Sequence, residues 1–313
     1  MRPQIDDRWV TYFKEHGYPE AKGLAVGMEG AVYSLIPDEL VAKVWTRRGV
    51  SEVQRLQRFY AELAAFGGPI RTPELVEVEL IDGTLVSKER FLVGAPLETM
   101  LSEDAGRADP GGTSATIAIL DFLRRLGGSD PLRSLAVLDE AEPVWSGFEC
   151  WSDALSALMA RRLDRFGDQL RRDVDNLEAI QTACREFLRG RDGSAMSLIH
   201  GDLCGANILV DERLRPLAVV DFGFLSTIGD PAFDASIASG IFNMYGPHVR
   251  DIDDEVTAAC SAALGYPLDV LLAYRAVYGV LTSNAYAEDG SDGHYRWCVD
   301  TLRRRDVQAA LGL

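Results

Sequence analysis

The amino-acid sequence predicts a two-lobed α+β protein, with a β-rich N-terminal lobe at residues 1–93 and a mainly helical C-terminal lobe at 94–313. Three observations support this prediction. The 313 residues exceed the roughly 150 that one compact domain usually takes. Short apolar runs typical of strands dominate up to about residue 92, and apolar residues at helical spacing dominate after residue 96. We expect the junction to form a cleft, where ligands preferentially bind.

The N-terminal lobe is expected to contain two helices and five strands. The helix at 51–66 is supported by Leu56, Phe59 and Leu63, which recur on one face. Asp82-Gly83 is typical of a type I′ turn between two strands. The predicted elements are a leading helix (5–16), a hairpin turning at its glycines (24–35), a third strand (39–45), the helix (51–66) and two further strands (76–81 and 84–93).

The C-terminal lobe is expected to be helical except for one short β-rich island. A polar loop at 103–114 precedes helical periodicity that continues to Gly190. The β-like island spans residues 197–221, and helical periodicity then resumes to the last residue.

Composition and charge exclude several classes of function. The formal net charge of −16 disfavours nucleic acid and anionic membrane as partners and suits a cationic small substrate. The five cysteines are scattered and never spaced as CxxC, which indicates reduced thiols rather than disulfides or a zinc site. The charged N-terminus and the absence of an apolar run near 18 residues predict a cytoplasmic protein. Either a monomer or a homodimer is compatible with the sequence.

The stretch with the clearest chemistry lies within the β-like island. Asp202 is followed five positions later by Asn207, and Asp221 begins an Asp-Phe-Gly sequence on the next strand. Phosphoryl transfer needs a carboxylate that accepts the proton of the nucleophile and oxygen ligands that hold magnesium against the phosphates. Each of the three residues could by itself only cap a turn. Their order and strand context instead supply these groups in the order found in kinases.

This pattern resembles the aminoglycoside-phosphotransferase family and its choline-kinase-like relatives. The matching motifs are His-Gly-Asp-Leu-x-x-x-Asn at 200–207, Asp-Phe-Gly at 221–223 and Gly-Asp-Pro-Ala-Phe-Asp at 229–234. The resemblance implies a protein-kinase-like fold, ATP or GTP as co-substrate, and Mg²⁺. It implies that Asp202 is the catalytic base and that Asn207 and Asp221 are the magnesium ligands. It also implies that Asp234 ties down the catalytic loop and that His200 braces it. An inert loop position is expected for Cys204.

Two departures separate the sequence from protein kinases. Protein kinases carry Arg where Gly201 stands, and they have a long activation segment after Asp-Phe-Gly. Here Gly229-Asp230-Pro231 follows almost at once, so there is no segment on which a protein substrate would dock. The small-molecule branch of the fold is therefore favoured.

The N-terminal lobe supplies candidates for nucleotide binding. Gly27 and Gly30 flank a turn where backbone N–H groups could approach phosphates, although an ordinary hairpin has the same pattern. Lys43 stands alone among apolar strand residues, and with the downstream motifs present it is expected to pair with the α- and β-phosphates. Its expected glutamate partner is Glu52, because Glu52 shares the helix stripe of Leu56.

The nucleobase is expected to hydrogen-bond the backbone near the lobe junction. Arg90 and Leu92 flank the position where a kinase-like hinge would lie. The same residues could simply form an exposed strand end.

Substrate-binding candidates come from the acidic segment 250–300, which contains nine carboxylates against three arginines. Acidic helices line the aminoglycoside pocket in the relatives that the sequence resembles, and Glu288 and Asp292 are the candidates here. A solvated acidic face would have the same composition. Nearby aromatic residues could stack on a substrate or belong to the core; they are Tyr286, His294, Tyr295 and Trp297.

The sequence thus predicts an ATP- or GTP-dependent small-molecule kinase. Its expected substrate is a hydroxyl-bearing, cationic antibiotic, and the expected role is inactivating resistance. A kinase of an amino alcohol, sugar or nucleoside is the first alternative. A nucleotide-binding scaffold without turnover is the second, and the complete set of Lys43, Asp202, Asn207 and Asp221 disfavours it.

Overall fold

The computed structural model describes residues 4–27, 29–102 and 106–313. The chain forms two compact units, of which the first holds the described residues up to Gly94 together with Leu217–Asp221. The second unit comprises Ala95–Pro216 and Phe222–Leu313. Residues 103–105 of the predicted polar loop and Met28 of the predicted hairpin turn lie outside the described residues. None of the described helices combines the length and the apolarity that a membrane span requires.

The first unit is built on a five-stranded antiparallel sheet with the strand order β1-β2-β3-β5-β4. Asp82 and Gly83 connect β4 to β5 with φ angles of 48° and 77°, as a type I′ turn requires. The elements are α1 (Asp7–Glu15), β1 (Lys22–Val26), β2 (Gly30–Leu35), β3 (Leu40–Trp45), α2 (Val50–Phe66), β4 (Leu75–Ile81) and β5 (Thr84–Arg90).

The two faces of this sheet have different chemistry because side chains alternate along a strand. One face packs against α1, where Trp9 and Phe13 join Tyr33, Val44 and Val86 in a buried apolar cluster. The opposite face carries polar groups. Lys43 of β3 lies directly across from Ser87 of β5 on that face, so the residues two positions further along each strand share it.

The segment Leu217–Asp221 joins the first unit through backbone hydrogen bonds. The Arg71 N–H donates to the Leu217 carbonyl at 2.9 Å, and the Val219 N–H donates to the Arg71 carbonyl at 3.0 Å. The predicted division at residue 93 differs from the observed one by a single residue, Gly94. It also omits this segment, which is remote in sequence from the rest of the unit. The segment matters because it places Asp221 beside β3.

The second unit is mainly helical. Short strands form two small pairings, β7 with β10 and β6 with β8, both antiparallel. The elements are β6 (Ala95–Pro96), α3 (Leu97–Met100), α4 (Pro110–Leu123), α5 (Trp151–Asp173), α6 (Leu177–Arg189), β7 (Ser197–Ile199), β8 (Ile208–Val210), β9 (Pro216–Val219), which crosses the boundary between the units, β10 (Thr227–Gly229), α7 (Pro231–Gly240), α8 (Val249–Leu264), α9 (Leu268–Thr282), α10 (Gly293–Arg303) and α11 (Arg305–Ala310).

Helices α7 and α9 form the centre of the second unit and are apolar on nearly all sides, as expected for buried helices. Charged side chains are buried with them: Arg275 of α9 is 0% exposed and donates to Asp253 of α8 at 2.6 Å. Ser239 and Thr257 accept further hydrogen bonds from the same guanidinium, and Arg304 also contacts Asp253. The ion pair therefore ties α8 and α9 together.

The structure confirms the predicted α+β fold class. The helix predicted at 51–66 is α2, and the hairpin predicted at 24–35 is formed by β1 and β2. The last predicted strand of the first unit is shorter than expected, because β5 ends at Arg90 rather than residue 93.

We expect the substitution Asp253→Asn to destabilise the protein by about 3 kcal/mol, because it leaves the Arg275 charge buried without a counter-charge. The matched control is Asp251→Asn on the exposed side of α8, which should change stability by less than about 0.5 kcal/mol. Urea unfolding monitored by circular dichroism measures both. Equal stabilities of the two variants would contradict the prediction.

The difference should also depend on pH. Burial by itself would raise the pKa of Asp253, but the charges of Arg275 and Arg304 outweigh it and hold the pKa below its ordinary value. The contribution of Asp253 is therefore present above the ordinary carboxyl range of about 4 and is lost as the pH falls through the lower folded-state pKa. The stability gap between wild type and Asp253→Asn should narrow over that range.

Candidate active site

The loop that carries Asp202 is held by a buried carboxylate. Asp234 of α7 is 2% exposed, and its two oxygens accept the backbone N–H groups of His200 and Gly201, each at 2.9 Å. Burial raises the pKa of Asp234, while the backbone hydrogen bonds and the proximity of His200 oppose the rise. The Asp234 contact agrees with the tie expected from the family resemblance. It fixes the start of the loop where β7 ends.

His200 orients the backbone of Asp202. Its ring is fully buried, lies 4.5 Å from the ring of Phe222, and its Nδ1 accepts the backbone N–H of Asp202 at 3.3 Å. A neutral ring that accepts at Nδ1 carries its proton on Nε2. The His200 carbonyl accepts from the Ser226 hydroxyl at 2.6 Å. His200 therefore acts on Asp202 through the backbone.

Asn207 completes the loop from its far end. Its side-chain Nδ2 donates to the Asp202 carbonyl at 2.8 Å, which leaves the amide oxygen Oδ1 as the acceptor atom of the side chain. The backbone of Asp202 is thus held on both sides, at its N–H by His200 and at its carbonyl by Asn207. Asp202 itself is half-buried. The short 3-10 turn Gly205–Asn207 places Asn207 directly before β8.

Gly201 is required by both backbone conformation and space. Its φ angle is +77°, in the region that favours glycine, and a Cβ would lie 2.3 Å from the Leu225 Cβ. The same Cβ would lie 2.7 Å from the Leu225 carbonyl carbon, which cannot move without shifting the chain. An arginine at this position, as in protein kinases, is therefore incompatible with this loop.

Cys204 lies within the same loop. Burial raises the pKa of its thiol to about 12, and the negative charge of Asp202 adds to the rise. The thiol therefore stays protonated at neutral pH, in keeping with the inert position expected from the sequence.

In the first unit, Asp221 has an unusual backbone. Its φ angle is +63°, which costs a non-glycine residue about 1–3 kcal/mol and is found mostly at functional positions. The carboxylate is 62% exposed and lies 3.8 Å from the Lys43 ammonium. The structure therefore brings together two of the predicted site residues, Lys43 and Asp221.

The expected pairing of Lys43 with Glu52 is not the arrangement in the structure. The Glu52 carboxylate accepts the Gly49 N–H at 2.7 Å and caps the first turn of its own helix, α2. Lys43 instead contacts Glu29 at 3.3 Å, in addition to Asp221. The helix stripe predicted which residues face the sheet, but residue 52 is in the first turn, where backbone N–H groups need acceptors. Glu52 follows the N-cap residue Gly49 by three positions, which is the spacing of a capping box, and this spacing could have indicated the capping role.

Helix α2 presents a tyrosine, not a carboxylate, to this charged group of residues. Burial raises the pKa of the Tyr60 hydroxyl, and the negative charges of Glu89 and Asp221 raise it further, so the hydroxyl stays neutral. Glu89 of β5 was missed by the sequence analysis. It accepts a hydrogen bond from Ser87 at 3.1 Å. Burial raises the pKa of Glu89, and the Lys43 charge opposes this rise. The period-two alternation of β5 could have shown that Glu89 shares the Lys43 face.

The glycine turn has a mixed origin. Gly30 begins β2, and a Cβ there would lie 2.0 Å from the Val44 carbonyl oxygen, so strand packing alone requires this glycine. A Cβ at Gly27 would meet no described atom within 4 Å, and the Gly27 N–H donates to the Gly30 carbonyl at 2.9 Å. Strand packing thus accounts for Gly30, and the role of Gly27 toward phosphates stays a prediction.

The predicted hinge contains both paired and unpaired backbone donors. The N–H groups of Arg90 and Phe91 donate to the carbonyls of Glu74 and Glu39. The Leu92 N–H has no hydrogen-bond acceptor among the described residues. The end of β5 therefore leaves a donor at the position where the sequence predicts nucleobase binding.

The two predicted substrate residues have different surroundings. Asp292 begins α10, where its Oδ1 accepts the Tyr295 N–H at 2.7 Å, and its Oδ2 is buried without a partner among the described residues. An unpaired buried carboxylate oxygen is costly, so it usually binds a water molecule, an ion or a ligand. Glu288 is 75% exposed and lies 3.5 Å from Arg165. Asp292 is thus the stronger candidate.

The aromatic residues near Asp292 divide into surface and core. Tyr286 is 42% exposed and stacks on Phe224, with ring centroids 5.7 Å apart. His294, Tyr295 and Trp297 are buried and belong to the core. Burial lowers the pKa of His294 to about 4, so its ring is neutral at pH 7. Of the four aromatic candidates, only Tyr286 presents its ring at the surface.

Three of the remaining acids of segment 250–300 make ion pairs or hydrogen bonds within the fold. Asp253 holds Arg275, Asp254 pairs with Arg250, and Glu255 accepts the Ala108 N–H at 2.9 Å. The acidic composition therefore reflects both structural contacts and exposed carboxylates, the latter including Asp251 and Asp300.

Asn207 and Asp221 each carry an oxygen ligand of the kind that magnesium prefers, an amide oxygen in Asn207 and a carboxylate in Asp221. No group of three or more His, Cys, Asp or Glu residues in the described ranges could hold a metal ion alone. Magnesium commonly keeps phosphate oxygens and water in its shell, so it needs few protein ligands.

The family model that matches this sequence identifies the chain as a phosphotransferase. The sequence model of the phosphotransferase enzyme family (APH) matches residues 20–268, and the chain belongs to this family. A comparison with curated proteins gave no significant match.

Solved structures of the family share this fold. The chain is similar to the aminoglycoside phosphotransferase APH(3'')-Id from Streptomyces rimosus with ADP and streptomycin, at 15% identity and a TM-score of 0.57 over 96% of this chain and 99% of that one. It is similar to APH(2")-IIia with GDP and kanamycin at 16% identity and a TM-score of 0.59, over 94% of this chain and 98% of that one. It is also similar to the macrolide 2'-phosphotransferase MphH from Brachybacterium faecium at 16% identity and a TM-score of 0.53, over 95% of this chain and 98% of that one. At such identities the likeness establishes the fold alone.

We expect Gly201→Ala to destabilise the protein by about 3–4 kcal/mol, because a left-handed backbone penalty adds to a steric clash with Leu225. The matched control is Gly265→Ala at the end of α8. There φ is +79° and nothing lies within 4 Å of a Cβ, so only the backbone penalty of about 1–2 kcal/mol applies. Urea unfolding compares the two variants. Similar losses would show that the clash with Leu225 is relieved without cost.

Proposed function

We propose that this phosphotransferase transfers the γ-phosphoryl group of ATP or GTP to a hydroxyl of a cationic small molecule, with Asp202 as general base. The observation that carries the proposal is the double backbone restraint on Asp202, by His200 at the N–H and by Asn207 at the carbonyl. Phosphoryl transfer depends chiefly on positioning and electrostatics. A restrained, half-buried carboxylate is suited to orient a hydroxyl and accept its proton as the new O–P bond forms.

In this proposal Lys43 and Asp221 serve the nucleotide. The Lys43 ammonium would bind phosphate oxygens, and Asp221 and Asn207 would hold Mg²⁺ through their carboxylate and amide oxygens. Bound magnesium would neutralise phosphate charge as the γ-phosphoryl group leaves. The exposed Asp221 carboxylate and its positive φ angle support this role, because strained backbone is retained where function requires it.

The nucleobase would bind at the end of β5. The Leu92 N–H would donate to the base, and the Arg90 carbonyl would accept from its exocyclic amino group. The Leu92 N–H supports this assignment, because no acceptor for it lies in the part of the chain that the structure describes. Both ATP and GTP remain candidates, in keeping with relatives solved with ADP and with GDP. Because both nucleotides are cytosolic, the proposal places the enzyme in the cytoplasm.

For the substrate we propose an ammonium-bearing antibiotic. The buried Oδ2 of Asp292, unpartnered within the described ranges, would accept an ammonium group, and the exposed ring of Tyr286 would provide an apolar or cation–π contact. The negative charge of Asp202 adds to burial in raising the pKa of Tyr286, so the ring is an electrostatic neighbour of the base. Two similar structures contain streptomycin and kanamycin, and a third is named a macrolide 2'-phosphotransferase. These antibiotics support a resistance role in the proposal.

A smaller amino alcohol is the second candidate substrate. Asp253, Asp254 and Glu255 are engaged in ion pairs and caps, so not every acid of segment 250–300 is available to an antibiotic with many ammonium groups. The Asp292 Oδ2 atom, which has no partner among the described residues, suits a single cationic centre.

We expect Asp202→Asn to lower kcat by at least about 100-fold while leaving nucleotide binding unchanged, because only proton acceptance is lost. The measurement is magnesium-dependent ADP or GDP release, coupled to a panel of antibiotics and amino alcohols. Asp251→Asn, which removes one surface charge, is the control. Wild-type turnover by Asp202→Asn would sink the assignment of the base. Silence of the wild type across the panel, with nucleotide bound, would favour a non-catalytic scaffold.

We also expect Asp292→Asn to raise KM for a cationic substrate by about tenfold with little change in kcat, because one charge-assisted hydrogen bond is worth roughly 1.5–3 kcal/mol. Asparagine keeps the oxygen that caps α10, so the fold is preserved. Glu288→Gln is the paired variant at the more exposed acid. An unchanged KM in Asp292→Asn would remove Asp292 from the substrate site.

A further inference from the structure

The carboxylate of Glu29 bridges two cations in the first unit. Its Oε2 lies 3.3 Å from the Lys43 ammonium, and its Oε1 accepts the Arg48 Nε–H at 2.7 Å. A second Arg48 nitrogen, Nη2, also contacts Oε1. The side chains of Lys43 and Arg48 are only 17% and 15% exposed, so this group is poorly screened by solvent.

The backbone directs Glu29 toward these cations. The Thr46 N–H and hydroxyl both donate to the Glu29 carbonyl, at 2.8 Å and 3.1 Å. This attaches Glu29 to the residue that directly follows β3, which is the strand that carries Lys43. These contacts hold the backbone of Glu29 next to β3, and the hydrogen bonds from Lys43 and Arg48 hold its carboxylate.

Several carboxylates lie close to the single ammonium group of Lys43. Glu29 and Asp221 both lie within 4 Å of its ammonium, and Glu89 shares its face of the sheet. Asp221 has a second task in the proposed reaction, as a magnesium ligand, and Glu89 is hydrogen-bonded to Ser87. Glu29 is thus the carboxylate that pairs with the Lys43 ammonium at the place where phosphate oxygens would bind.

We propose that Glu29 competes with the nucleotide phosphates for Lys43 and thereby sets the affinity for nucleotide. This inference rests on the proposed function, in which Lys43 binds phosphate. Phosphate binding exchanges one anion for another at the Lys43 ammonium, and Arg48 keeps the displaced Glu29 carboxylate paired. After transfer, the same competition favours release of the nucleoside diphosphate.

The exchange assigns distinct roles to the two cations. Lys43 changes partners between Glu29 and phosphate, whereas Arg48 stays with Glu29 throughout. Without Arg48, the Glu29 carboxylate would depend on Lys43 alone and would resist displacement. Arg48 is thus a positioning residue that acts on the nucleotide through Glu29, not a phosphate ligand.

The test is the dissociation constant of ADP, or of GDP if that nucleotide binds better, measured by calorimetry on the full chain. Glu29→Gln keeps the shape of the side chain and removes its charge, so the diphosphate should bind about five- to tenfold more tightly. The corresponding nucleoside, which has no phosphate, should bind with unchanged affinity. The control is Glu77→Gln, which removes one charge from an exposed pair with Lys88 and should alter the dissociation constant less than about twofold.

A double-mutant cycle tests the role of Arg48. Arg48→Met should weaken diphosphate binding in the wild-type background and have no effect in Glu29→Gln, because the residue acts only through Glu29. Weakening of equal size in both backgrounds would overturn that role and make Arg48 a direct phosphate ligand.

The outcomes separate this inference from the proposed function. If Lys43→Met weakens diphosphate binding but Glu29→Gln binds no more tightly than wild type, the competition is refuted and the nucleotide site stands. If the wild type binds neither diphosphate, or Lys43→Met leaves binding unchanged, the assignment of Lys43 to phosphate fails and the competition fails with it. A thermal melt of Glu29→Gln that matches Glu77→Gln shows that folding is not the cause of a change.

Discussion

The acceptance of two adjacent backbone N–H groups by the buried carboxylate of Asp234 is the contact on which the catalytic loop depends. A buried carboxylate must be well satisfied, and two N–H groups at 2.9 Å provide that satisfaction. These two hydrogen bonds fix the start of the loop. Further hydrogen bonds link His200, Asp202 and Asn207, so the backbone of Asp202 is positioned through Asp234 on a core helix of the second unit.

Two positive φ angles show how backbone conformation restricts the sequence of this chain. Gly201 adopts a positive φ angle against the backbone of Leu225, and Asp221 adopts a positive φ angle without being glycine. The first position tolerates no side chain. The second retains a carboxylate at an energetic cost, which is reasonable if the carboxylate binds metal. Both restraints distinguish this chain from an ordinary pair of hairpin turns.

Electrostatics in the first unit follow from strand register. Lys43 lies across from Ser87, which brings Glu89 to the same face, and the turn before β2 brings Glu29 to the ammonium. Helix α2 contributes the neutral hydroxyl of Tyr60 to this group. The lysine is therefore paired by residues of strands and turns, and the helix that was expected to supply its partner uses its glutamate to cap itself.

The sequence by itself determined the elements and motifs that depend on local order along the chain. The helix α2, the Asp82-Gly83 turn and the ordered set Asp202, Asn207 and Asp221 are legible because periodicity, turn chemistry and motif spacing are local properties. Only the tertiary structure decided the partners: Glu29 for Lys43, Gly49 for Glu52, and the divided use of the two oxygens of Asp292. Side-chain pairing depends on strand register, on helix ends and on burial, and these are set by contacts between residues distant in sequence.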